Sequence, residues 1–67
     1  MSETITDETA GKQLIELVEE GWSPAEALDY WAVEIVGYRA AEWARTRDRT
    51  RGAVGQNVRA VRDERGE

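Results

Sequence analysis

Between Gly21 and Gly37 the chain carries Ser23-Pro24-Ala25-Glu26, and this quartet constrains the fold more than any other feature of the sequence. A serine three residues ahead of a glutamate can exchange two hydrogen bonds with it: the glutamate amide donates to the hydroxyl, and the serine amide donates to the carboxylate. Proline just after the serine takes the first helical position, where its missing N–H and fixed φ cost nothing. A helix therefore starts at residue 24, and whatever precedes it has stopped by Gly21, a residue suited to the left-handed position after a helix. Beyond the quartet, Leu28, Trp31, Ala32 and Ile35 recur at helical spacing, and Ala27, Tyr30 and Val36 widen the stripe. That width predicts a central helix touched from more than one side and ended at Gly37. Tyr38 then stands where it can pack back on Val33.

Three further segments follow the same period. Ala10, Leu14, Leu17 and Val18 fall at i, i+4, i+7 and i+8 with Ile15 beside them, which leaves Glu16, Glu19 and Glu20 facing away. Thr6 or Thr9 is the candidate cap, and Trp22 lies where it can fold back on Leu17. Residues 40–47 offer Ala40, Trp43 and Ala44 as a buried face. Residues from about 50 to 63, with Thr50 as cap, place Ala53, Val54, Val58 and Val61 on one side of a helix and Arg51, Gly52, Gly55, Gln56, Arg59 and Arg62 largely elsewhere. Two glycines and three valines make this last helix dependent on packing. The expected fold is all-α: one domain, a compact bundle of four short helices. Residues 1–8 are expected to be flexible, 9–36 to form a helical scaffold, 39–63 a helix-turn-helix, and 64–67 a tail.

At 67 residues no second domain is expected. The chain has no cysteine and no histidine, so it offers no disulfide, no thiolate zinc site, no thiol nucleophile and no imidazole base. No apolar run approaches the ~20 residues of a membrane span, and the start Met-Ser-Glu-Thr lacks a basic region leading into an apolar one. A cytoplasmic protein without a membrane partner is expected.

The net charge of −5 conceals a polarity. Residues 1–38 set nine acids against Lys12, whereas residues 39–62 set seven arginines against Glu42 and Asp48. The basic half favours an anionic partner, while a pI of about 4.7 argues against a whole-surface electrostatic DNA binder. Eight arginines to one lysine, with acids in excess, resembles the surface composition of proteins from salt-loving archaea.

The last two segments have the layout of a helix-turn-helix: a short helix, a turn of three or four residues, and a helix whose apolar side turns inward. Residues 37–62 resemble the DNA-binding hairpin of sigma-factor region four. They are more similar still to small haloarchaeal helix-turn-helix proteins, in which a Ser-Pro-Xaa-Glu-Ala-Leu-Asp-Tyr-Trp-Ala-Val-Glu segment, matched here by residues 23–34, forms the scaffold helix. The resemblance covers residues 22–62. Trp43-Ala44, Ala53-Val54 and Asn57-Val58-Arg59 stand where that family keeps its first-helix core, its recognition-helix core and its basic exit. Two features depart from it. The turn, apolar-glycine-apolar in the family, reads Arg47-Asp48-Arg49, and Arg39 replaces the Ser or Thr three residues ahead of Glu42.

The resemblance implies a sequence-specific, DNA-binding transcriptional regulator whose last helix enters the major groove of double-stranded DNA. Docked in that way, Arg51 and Gln56 read base edges, since arginine pairs bidentately with guanine and glutamine with adenine. Thr50 and the amides beside it meet a phosphate, and Arg45, Arg47, Arg49, Arg59 and Arg62 contact the backbone without specifying sequence. One such module buries about 600–1,000 Å² on DNA, so a homodimer or a transcription-machinery partner is implied as well. The competing reading keeps the fold but makes it a protein-interaction module, its groove surface blunted by Gly52 and Gly55 and its arginines on an acidic protein.

No constellation supports catalysis, and neither a cofactor nor a metal is expected. Ser23 already has a capping role and no base beside it, and Lys12 sits in an acidic segment with nothing to activate it. Glu16, Glu19 and Glu20 share a face that is expected to be solvated, and the three tryptophans are expected in the core.

Overall fold

The computed structural model describes residues 7–67, and these form an all-α bundle. Helix α1 spans Asp7–Glu19, α2 spans Pro24–Tyr30 and runs directly into a π-helical segment, Trp31–Val36, and α3 (Ala40–Thr46) and α4 (Arg51–Arg65) complete the chain. The overall extents of 30 × 25 × 19 Å fit two layers of helices, each about 10 Å thick.

The Ser23 quartet acts as its spacing requires. The Glu26 amide donates to Ser23 Oγ at 3.3 Å, the Ser23 amide donates to Glu26 Oε1 at 3.2 Å, and Pro24 opens the helix. At the far end Gly37 takes φ 103°, and the amides of Gly37 and Tyr38 both donate to the Ala32 carbonyl, at 3.0 and 2.9 Å. The five-residue reach from Gly37 to Ala32 is the π-helical widening, which no break in the sequence announces.

Leu17, Ala27, Tyr30, Ala32, Trp43, Ala44, Val54, Val58 and Val61 make the core, with Leu14, Leu28 and Trp31 packed against it. Helix α4 lies chiefly on α2 and α3, while α1 covers α2 and the π segment. The Trp31 indole fastens that cover by donating to the Ala10 carbonyl at 2.7 Å.

Several expectations change in detail. Helix α1 begins at Asp7, so Glu8 is helical, and α4 continues to Arg65, leaving two residues beyond it. A cap at Thr6 lies outside the described residues. Val18, expected in the buried stripe of α1, is 48% exposed, because contact with a single layer uses only the Ala10-Leu14-Leu17 line. Val36 is likewise exposed, at the end of the widened segment. Tyr38 turns forward onto Trp43, with ring centroids 5.2 Å apart.

Candidate nucleic-acid interface

Helix α3 starts at Arg39 with no side-chain cap, and its other end closes tightly. Asp48 adopts φ 56°, its amide donates to the Arg45 carbonyl at 3.2 Å, and the Arg49 amide donates to the Ala44 carbonyl at 2.8 Å. That pair of bonds is the Schellman closure usually built on glycine, here built on an aspartate, one of the few L-residues that tolerate the left-handed region. Thr50 then caps α4, its Oγ1 accepting from the Ala53 amide at 3.1 Å. The chain thus turns between the two helices in the four residues 47–50, and Val54, Val58 and Val61 hold α4 against the core.

A buried carboxylate that the sequence reading passed over fixes this pair to the scaffold. Asp29, on α2, is 0% exposed. Its Oδ1 accepts from the Trp43 indole of α3 at 2.8 Å, and its Oδ2 accepts from Asn57 Nδ2 of α4 at 2.7 Å. Arg47, in the turn, places Nη1 3.2 Å from the same carboxylate, with 17% of its side chain exposed. One side chain therefore meets both helices and the turn. Arg47, expected on a phosphate, is instead directed inward as the counter-charge of Asp29. The outward cue was its place among alternating arginines; the inward one, a carboxylate eighteen positions earlier, leaves no local trace.

The other candidate positions lie on the surface. Arg45, Arg49, Thr50, Arg51, Gln56, Arg59 and Arg62 are all exposed. None of these arginines makes an ion pair with any described residue. At 100° per residue, Gly52, Gln56, Arg59 and Asp63 stand opposite the valines of α4, and Arg51, Gly55 and Arg62 form the adjoining flank. Gln56 and Arg59 thus share the outermost face, and Arg51 is brought to the flank with Arg62. The basic character fades toward the end of the helix, where Asp63 and Glu64 are also exposed.

The end of α4 is fastened by a second polar cluster absent from the expected site. The Tyr30 hydroxyl donates to both carboxylate oxygens of Glu67, at 2.6 and 2.8 Å. Arg65 bonds Glu67 at 3.0 Å and Glu20 at 2.8 Å, with its guanidinium 5.5 Å from the centre of the Tyr30 ring. Burial, and then the Glu67 bond, push the Tyr30 hydroxyl up to about 12. The bonds from Tyr30 and then Arg65 draw Glu67 below the usual carboxylate range. Arg65, which carries no expected role at the interface, is thereby occupied.

No group of three or more metal-ligating side chains occurs among the described residues, and no helix there is long and apolar enough to cross a membrane. The chain matches no family model, no curated protein and no solved structure.

Proposed function

We propose that this protein is a DNA-binding transcriptional regulator of the kind its sequence resembles, a small haloarchaeal helix-turn-helix protein similar to sigma-factor region four, which lays α4 in the major groove. The observation that carries the reading is the division of α4. Its valines are buried, while Gln56 and Arg59 stand opposite them and Arg51 and Arg62 on the adjoining flank, all four exposed, and the three arginines make no ion pair with a described residue. Arg45 and Arg49 flank the start of the same helix. Arg51 and Gln56 are the base-reading pair, Arg59 and Arg62 hold phosphates along the groove, and Thr50 with Arg45 and Arg49 holds the phosphate at the helix start. Arg47 is left out of this set, its charge being met by Asp29.

The protein acts in the cytoplasm. A single module of this size gives modest specificity, so it works as a homodimer on two half-sites or beside a transcription-machinery protein.

Titration with a mixed-sequence duplex at several salt concentrations tests the reading. With about five phosphates neutralised, log K falls against log salt with a slope of roughly −4 to −5. Arg59→Ala and Arg62→Ala should each reduce that slope by about 1, and Arg51→Ala should weaken selected duplexes more than random ones. Absence of binding at low salt would leave the competing reading, a protein-interaction module on the same fold.

A further inference from the structure

Apart from this basic face, α1 presents a surface that the core formed by the described residues does not use. Ile15 is 59% exposed and Val18 48% exposed. Together with Gly11 they sit at i, i+4 and i+7, one stripe of the helix, and a Cβ at Gly11 would meet nothing within 4 Å. The core takes its contacts from the neighbouring line, Leu14 and Leu17. Along the open stripe run Glu8, Glu16 and Glu19, all exposed and none ion-paired with a described residue, against the one lysine, Lys12. Apolar side chains at helical spacing with carboxylates along one flank fit one kind of partner, an amphipathic helix with basic residues beside its apolar seam.

A second copy of the chain fits poorly. Two α1 helices laid together would oppose the same carboxylates, and the exposed face of α4 carries arginines but no large apolar residue to meet Ile15 and Val18. We infer that the Gly11-Ile15-Val18 stripe of α1 is a docking surface for a cationic amphipathic helix of another protein. The stripe lies on α1, whereas the proposed DNA contacts lie on α4, which packs chiefly on α2 and α3 and meets the end of α1 through Arg65 and Glu20. The inference stands apart from the DNA-binding reading, and neither depends on the other.

The test uses the isotope-labelled full chain and two synthetic helical peptides with the same leucine seam, one flanked by lysines and the other by glutamates. The lysine peptide should shift the amides of Gly11, Ile15, Val18 and Glu19, and leave those of Gln56 and Arg59 in place. Ile15→Ala with Val18→Ala should cut its affinity about tenfold or more, as loss of two apolar anchors does at a small interface. Ile15 and Val18 are 59% and 48% exposed and lie outside the core, so this variant should fold, which thermal unfolding checks. Tyr38→Ala, at a different exposed apolar position, should leave peptide binding unchanged. Binding of the lysine peptide that ignores Ile15 and Val18 would overturn the inference, as would equal binding of the glutamate peptide. Dimerisation through this stripe without peptide binding would replace the partner with a second copy.

Discussion

Asn57 Nδ2 lies 2.7 Å from Asp29 Oδ2, a bond from the helix proposed to enter the groove to a fully buried carboxylate of the helix that supports it. The same carboxylate holds the Trp43 indole of α3, so the angle between the two helices of the turn is set by one side chain. Asp29→Asn keeps the shape but faces Asn57 with a second amide donor and leaves Arg47 without its counter-charge. Uncompensated buried groups of this kind cost about 2–4 kcal/mol, a large share of the roughly 3–10 kcal/mol available to a domain of this size. Urea unfolding should show the loss, with Asn57→Ala costing less, about 1–2 kcal/mol, since it removes a single donor.

Asp48 holds φ 56° at the head of the turn. Glycine occupies that region without the Cβ penalty, so Asp48→Gly should stabilise the protein by about 0.5–1 kcal/mol, and a β-branched residue there should destabilise it by more. The check is the urea midpoint with an unchanged m-value. Removing this carboxylate from between Arg47 and Arg49 should also tighten duplex binding at low salt.

Gly52 lies on the outermost face of α4 and Gly55 on the adjoining flank, and a Cβ at either would meet nothing within 4 Å. Each change to alanine should add up to about 1 kcal/mol of helix stability. If α4 approaches the walls of the groove closely, the same changes should weaken duplex binding several-fold. Paired unfolding and binding curves on the Gly52→Ala and Gly55→Ala variants separate the two effects.

The Tyr30–Glu67–Arg65 cluster makes stability depend on pH at both extremes. Tyr30 is neutral up to about 12 in the folded chain, while an unfolded tyrosine ionises near 10. Its contribution is therefore complete below pH 10 and disappears as pH rises from about 10 to 12. Glu67 has the opposite sign: its depressed value gives a contribution present above the ordinary carboxylate range and lost as pH falls through and below it. Phenolate absorbance of Tyr38→Phe, which leaves Tyr30 as the one phenol, should titrate near pH 12. Adding Glu67→Gln should lower that midpoint but keep it above 10, because burial is the larger cause.

The elements visible in the sequence were those with local signals. Ser23 and Glu26 are three residues apart, Thr50 caps an amide three residues on, and Gly21 and Gly37 each end a helix at positive φ, so each device declares itself within one turn. What escaped depends on distant partners. Asp29 reads as an ordinary polar helix position until Trp43 and Asn57, 14 and 28 residues later, fold onto it, and Arg47 follows it inward. Val18 was misplaced for a related reason. The period of α1 allows either of two neighbouring lines to face the core, and only the presence of a single covering layer decides between them. At the candidate interface the exposed identities of Arg51, Gln56, Arg59 and Arg62 were legible, since they follow from the spacing of Val54, Val58 and Val61.

Chemical-shift mapping of the full chain with a mixed-sequence duplex at low salt tests the central claim most directly. The account predicts that the amides of Thr50, Arg51, Gly52, Gln56 and Arg59 move while those of Ile15 and Val18 stay in place. A duplex that leaves α4 unperturbed, with the protein folded, would contradict it.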